Sequence, residues 1–183
     1  IMGFIGTGKQ SQHLLRSFLN ASGVQVAANC DVDKLKLERN MRMATDFYTK
    51  KTGNASYNGV KAYGDFRELL ARPDIDAVVI STPDHWHGLH TVYAAKAGKD
   101  IYCEKPLGHN IVECQAMVKA VRRYDRIFQT GSMQRSDDKF RRACELVVNG
   151  YIGDIKKVVV NVGGPPKACD LEAMETPDYL DWE

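Results

Sequence analysis

Apolar residues fall into two alternating kinds of grouping along this chain. Short dense runs stand at Ile1–Ile5, Val24–Cys30, Ala77–Ile80, Ile101–Cys103 and Ile127–Thr130. Runs of this size predict strands. Between them lie longer stretches whose apolar residues recur at helical spacing. Gln10–Asn20 carries Leu14, Leu15, Phe18 and Leu19, and Asn110–Tyr124 carries Ile111, Met117, Val118 and Val121 on one side. Further helices are predicted from the N-cap Asp33 to about Lys50, over Asp65–Ala71, and over Asp84–Ala97 with Asp84 as its cap. Gly98 is placed to be a left-handed cap, and Gly150 closes a helix over Asp138–Asn149. The stretch Lys51–Gly59 is a loop by composition.

Strand and helix in succession predict an α/β fold, a doubly wound parallel sheet over residues 1–150. Ala77–Ile80 is apolar throughout, as suits a strand covered on both faces. Ile155–Val162 reads as a strand that opens a second α/β domain over residues 151–183. Beyond Gly163-Gly164-Pro165-Pro166 the chain turns acidic and irregular. Ile1 already belongs to a strand, and nothing near Trp182 reads as an ending. A piece of a longer protein is therefore expected.

Composition acts here by exclusion. With 25 basic and 23 acidic residues, the formal charge is +2. That near balance speaks against nucleic acid or an anionic membrane as partner. No apolar run approaches the ~20 residues of a membrane helix. Cys30, Cys103, Cys114, Cys144 and Cys169 form no C-x-x-C pair. Most sit in apolar runs, where a free thiol behaves as a small core residue. This points to a reducing compartment, the cytoplasm, although an export signal would lie ahead of Ile1.

The connection after the first strand reads Gly6-Thr7-Gly8-Lys9-Gln10-Ser11. Gly6 and Gly8 match the first two glycines of G-x-G-x-x-G, and Ser11 replaces the third. The first glycine allows a tight turn, and the second lets backbone N–H groups approach a pyrophosphate at a helix N-terminus. Lys9 and Gln10 open that helix and are candidates for the same cofactor contact. Asp31 ends the second strand roughly 23 residues after Gly8, near the ~20 of the dinucleotide fingerprint. A carboxylate there accepts from both ribose hydroxyls and repels a 2′-phosphate, so NAD is expected over NADP.

Two more turns end apolar strands on the same edge, where ligands of doubly wound sheets bind. The first is Ser81-Thr82-Pro83-Asp84-His85-Trp86-His87. Ser81, Thr82, Pro83, His85 and His87 are candidates to line the cofactor, and Trp86 is expected to pack under a loop. The spacing of His85, His87 and His90 is not H-E-x-x-H, and no carboxylate ligand is expected on that face, so no metal is expected. The second turn is Glu104-Lys105-Pro106. Proline restricts Lys105 to extended geometry. A lysine held there can give or take a proton at a cofactor's reactive face, or hold a substrate hydroxyl. Gln134 and Arg135, after the last strand, are candidates for substrate contact.

Gly6-Thr7-Gly8, Asp31, Thr82-Pro83-Asp84-His85-Trp86-His87, Glu104-Lys105-Pro106 and Gln129–Arg135 together resemble the Gfo/Idh/MocA oxidoreductases. The resemblance extends to about Pro166. It implies a Rossmann domain followed by a C-terminal α/β domain, and a nicotinamide-dependent enzyme of sugars or polyols. It implies that Lys105 is the catalytic lysine, that Gly6, Thr7, Gly8 and Asp31 contact the dinucleotide, and that Glu104 belongs to the same site. It also implies a cis peptide before Pro106 and further catalytic groups from the second domain. A homo-oligomer is expected for the full-length protein, and NAD binding without turnover from this chain alone. Two other readings stand beside hydride transfer: an NAD-assisted glycosidase, and a dinucleotide-binding protein without catalysis.

Overall fold

The computed structural model describes residues 1–164 and 172–181 of the 183-residue chain. Two compact units are formed, one from residues 1–131 with 177–183 and one from residues 132–176.

The first unit is a parallel sheet with helices on both faces. Its strands are β1 (Met2–Ile5), β2 (Val26–Cys30), β3 (Lys61–Tyr63), β4 (Ala77–Ile80), β5 (Asp100–Glu104) and β6 (Phe128–Gly131). Its helices are α1 (Lys9–Asn20), α2 (Lys34–Thr52), α3 (Phe66–Leu70), α4 (His87–Lys96) and α5 (Ile111–Arg123). Among the described residues the strand order is β3-β2-β1-β4-β5-β6, with every pair parallel. The chain winds outward from β1 to β3 and then returns to lay β4 on the other side of β1. That reversal opens a crevice at the carboxyl ends of β1 and β4.

Alternate strand residues feed two cores. Phe4, Val26 and Val79 pack with Leu14, Leu15 and Leu19 of α1 and Ala44 and Tyr48 of α2. Ile5, Val78, Ile80 and Ile101 pack with Leu69, Ala94, Ala95, Met117 and Ala120. Both faces of the sheet are thus covered, which is why β4 reads as an unbroken apolar run. Asp33, Asp65 and Asn110 cap α2, α3 and α5 through their side chains. Gly98 and Gly150 hold positive φ of 76° and 74°.

Several expectations are corrected. Strand β3 leaves no mark in the apolar pattern, because it is three residues long, partly exposed and lies at the sheet edge. Such a strand carries no apolar period. The inward stripe of α5 runs through Met117 and Ala120, while Ile111 and Val118 face outward. A 3-10 turn over Asp84–Trp86 precedes α4, so Asp84 does not cap that helix. Cys30 and Cys103 are buried, and burial pushes both thiols up to about 12. Cys144 is exposed rather than in a core, and Cys169 lies outside the described residues.

In the second unit a 3-10 turn (Met133–Ser136) leads into α6 (Asp138–Val148). The expected strand Ile155–Val162 is unpaired backbone with exposed side chains. A strand needs a partner for its N–H and C=O groups, and none lies beside this segment among the described residues. Residues 177–181, expected to be irregular, return to the first unit. Lys34 donates its N–H to Tyr179 O at 2.9 Å, and Asp181 donates to Val32 O at 3.0 Å. No helix among the described residues is long and apolar enough to cross a membrane.

Candidate functional site

The crevice floor is built where β1, β2 and β4 end. Gly6 donates its N–H to Cys30 O at 2.9 Å, and its own carbonyl accepts from Ser81 Oγ at 2.9 Å. Its φ is +87°, and an added Cβ would lie 2.6 Å from Thr82 N. Both conformation and space therefore require glycine there. Gly8 is different. It is the N-cap of α1, offers no capping side chain, and a Cβ there would meet nothing within 4 Å. The first turn of α1 carries no acidic side chain. Such an end favours an anion. Ser11, at the third-glycine position, is buried and accepts from Asn40 Nδ2 at 3.1 Å. Its small side chain makes the contact between α1 and α2.

Asp31 is held from two sides. Its Oδ2 accepts from Thr7 N at 2.6 Å and Thr7 Oγ1 at 2.7 Å, and its Oδ1 accepts from Asp33 N at 2.9 Å. Thr7 itself is fully buried. Arg39, which the sequence did not single out, donates from Nη2 to Thr7 O at 3.0 Å. Lys9 is exposed at the start of α1. Gln10 donates from Nε2 to Glu104 Oε1 at 3.2 Å, linking α1 to the end of β5. Glu104 is buried beneath Gly131, where an added Cβ would lie 2.8 Å from Glu104 Oε1.

The turns after β4 and β5 are joined by one ring. His87 is buried, with Nδ1 2.7 Å from Pro106 O and Nε2 2.9 Å from Thr82 O. It ties the Thr82-Pro83 turn to the Lys105-Pro106 turn, so its ring nitrogens are both engaged with backbone. Lys105 is exposed beside this clamp, and the Lys105–Pro106 peptide is cis as expected. Thr82 is half-buried, Pro83 and His85 are exposed, and Ser81 is buried against Gly6. Gln134 and Arg135 lie in the Met133–Ser136 turn and belong to the second unit.

Trp86 does not pack under a loop. It is 44% exposed and stacks on His90, with ring centroids 5.6 Å apart. His90 is buried, its Nδ1 3.3 Å from Thr82 Oγ1. Burial, with His87 adding to it, lowers the His90 pKa to about 4. The unfolded chain takes this proton near the ordinary value of 6.5. The stabilising effect of neutral His90 is therefore complete above pH 6.5 and is lost as the pH falls toward 4. Integrated over that window it is on the order of 3 kcal/mol. Denaturant midpoints between pH 7 and 4.5 are expected to fall less steeply for His90→Asn than for wild type. An unchanged slope would remove His90 from this role.

A carboxylate does stand on the histidine face, contrary to expectation. Asp84 Oδ1 lies 3.0 Å from His109 Nε2, on the loop after Pro106. This hydrogen bond lowers the Asp84 pKa and raises that of His109. His109 carried no signal in the sequence, because nothing in its local spacing announces Asp84.

Residues 2–132 match the model of a family described as the GFO_IDH_MocA oxidoreductase family, NAD-binding Rossmann fold. The chain belongs to this family. An uncharacterized oxidoreductase ORF334 of Rhizobium meliloti is 32% identical over 158 residues, covering 85% of this chain and 43% of the relative. A glycosyl hydrolase family 109 protein of Solibacter usitatus is 36% identical over 120 residues, 64% of this chain and 26% of that protein. The crystal structure of a scyllo-inositol dehydrogenase from Lactobacillus casei, with bound NAD(H) and scyllo-inositol, aligns with a TM-score of 0.69 at 28% identity. It covers 84% of this chain and 42% of that one. The chain thus spans less than half the length of these proteins.

The residues fit a dinucleotide. The crevice has the required glycine turn at Gly6, open space at Gly8, an α1 N-terminus without a capping side chain, and a carboxylate acceptor at Asp31.

Proposed function

We propose that the protein transfers hydride between a nicotinamide dinucleotide, NAD in preference to NADP, and a hydroxyl-bearing carbon of a sugar or polyol. One observation carries this reading. Gly8, Asp31 and Lys105 follow the ends of β1, β2 and β5 on one edge of one sheet. The scyllo-inositol dehydrogenase supports the polyol class by its likeness.

A bound nicotinamide would supply the hydride chemistry. The chain's own residues bind, orient and move a proton. The first turn of α1 receives the pyrophosphate. Asp31, pre-oriented by Thr7, accepts from the ribose hydroxyls. Lys105 holds the substrate hydroxyl and gives or takes its proton. His87 fixes the backbone that carries Lys105 by its contact with Pro106 O.

Absorbance at 340 nm tests the reaction, with the protein expressed from its full coding sequence and a panel of sugars and inositols. Growth of NADH with one of them supports the reading, and silence across the panel with confirmed NAD binding contradicts it. Asp31→Ala is expected to weaken NAD at least tenfold while leaving NADP nearly unchanged. Retained selectivity would take Asp31 out of that role.

Likeness to the glycosyl hydrolase family 109 protein favours one other reading, transient oxidation of a sugar that permits loss of its leaving group. Release of nitrophenol from a nitrophenyl glycoside without net NADH would establish it. A purely dinucleotide-sensing protein has no use for Lys105 in its restrained turn.

A further inference from the structure

Two imidazoles and a carboxylate meet beside the Lys105-Pro106 turn, and none is needed to build the cradle. We propose that Asp84, His85 and His109 form an open binding site for a divalent transition-metal ion, with Zn²⁺ as its simplest probe. This does not depend on the hydride reading.

Asp84 Oδ1 lies 3.0 Å from His109 Nε2 and 4.0 Å from His85 Nδ1. All three donor atoms lie within 4.8 Å of one another. Metal bonds of about 2.0–2.2 Å in tetrahedral array place donors about 3.3–3.5 Å apart. The Asp84–His109 pair is already near that spacing. The His85 ring needs a shift of roughly 1 Å, within reach of an exposed side chain.

The two other histidines of the turn are excluded. His87 has its ring nitrogens against two carbonyls, and His90 is buried under Trp86. The three ligands sit on anchored backbone. His109 donates its N–H to Glu113 Oε2 at 2.9 Å, and Asn110 and Glu113 exchange hydrogen bonds of 2.7 and 2.9 Å. At Gly108 a Cβ would lie 3.1 Å from Glu113 Oε2 and 3.2 Å from Cys114 Sγ, so the loop is pressed onto α5. Asp84 follows Pro83, which fixes the entry to its turn.

Two nitrogens and one oxygen suit zinc, cobalt or nickel better than magnesium or calcium. The side chains of Asp84, His85 and His109 are 43%, 56% and 52% exposed. Three protein ligands on an open surface leave coordination positions for exchangeable oxygen donors, the arrangement of catalytic rather than structural zinc.

Calorimetric titration of the chain with Zn²⁺ is expected to show one saturable equivalent. His109→Ala, His85→Ala and Asp84→Asn should each weaken it at least tenfold. His13→Ala and Cys144→Ser, which change other exposed donors, should stay within twofold of wild type. Co²⁺ should give d–d absorption without a thiolate charge-transfer band. Absence of saturable binding, or equal affinity in the three ligand variants, overturns the proposal. Imidazole NMR shifts in the wild type provide a reading free of any folding defect. Zinc-induced shifts at His85 and His109 support the site, and shifts confined to other histidines refute it.

Discussion

Gly6→Ala is expected to destabilise the first unit heavily and abolish dinucleotide binding, whereas Gly8→Ala should abolish binding alone. At Gly6 the φ of +87° costs an L-residue about 1–3 kcal/mol. The new methyl would also press on the backbone of Ser81 and Thr82 at 2.6–2.8 Å. Backbone cannot rotate aside as a side chain does, so about 1–3 kcal/mol of overpacking is added. Together, roughly 2–6 kcal/mol is a large part of a small domain's stability. At Gly8 the methyl enters free space and the backbone is extended, with φ −66° and ψ −169°. The protein should fold as before, with the methyl standing where a pyrophosphate would lie. Denaturant unfolding and NAD titration of both variants check this contrast. Equal stability of the two would mean that the Gly6 turn is not under the constraint described.

Lys105→Met is the second large effect. In the protein expressed from its full coding sequence, kcat is expected to fall roughly 10²–10⁴-fold, the usual contribution of a positioned acid–base group. Methionine keeps the length of the side chain and removes the ammonium. Lys105 is exposed and the adjoining turn is held by His87, so stability should be unchanged. NAD affinity should stay within threefold. A kcat within threefold of wild type would show that proton transfer is handled elsewhere.

These two sites differ in how they could be read from sequence. Gly6 and Gly8 sit between a strand and a helix, a local arrangement that one stretch of chain displays. The same holds for Asp31 and for the restraint on Lys105 by Pro106. What joins these stretches is long-range and left no local trace. The His87 ring reaches from Thr82 to Pro106, Arg39 reaches back to Thr7, and Gln10 meets Glu104. Each pairing is set by how neighbouring strands are ordered in the sheet. Asp84 is instructive, because its sequence position suits an N-cap. The 3-10 turn delays α4 by three residues and turns the carboxylate toward His109 instead.

The sheet itself was legible wherever a strand is covered on both faces. β4 announces itself by composition, since Val78, Val79 and Ile80 each pack against one of the two helix layers. β3 was invisible because it lies at an edge with little to bury. Ile155–Val162 shows the opposite case, β-forming residues without a neighbour to pair with among the described residues. Strand propensity describes a fit to a pleated, partly buried surface, and it cannot supply the partner strand.

We infer that the turn at Gly6 and the first turn of α1 bind a nicotinamide dinucleotide. Calorimetric titration of NAD into wild type and Gly8→Ala, at matched folding by circular dichroism, tests it most directly. The account predicts one saturable site in wild type, displaced by ADP-ribose, and no detectable binding in Gly8→Ala. A folded wild type that gives no saturable heat, or a Gly8→Ala variant that binds NAD equally well, would contradict it.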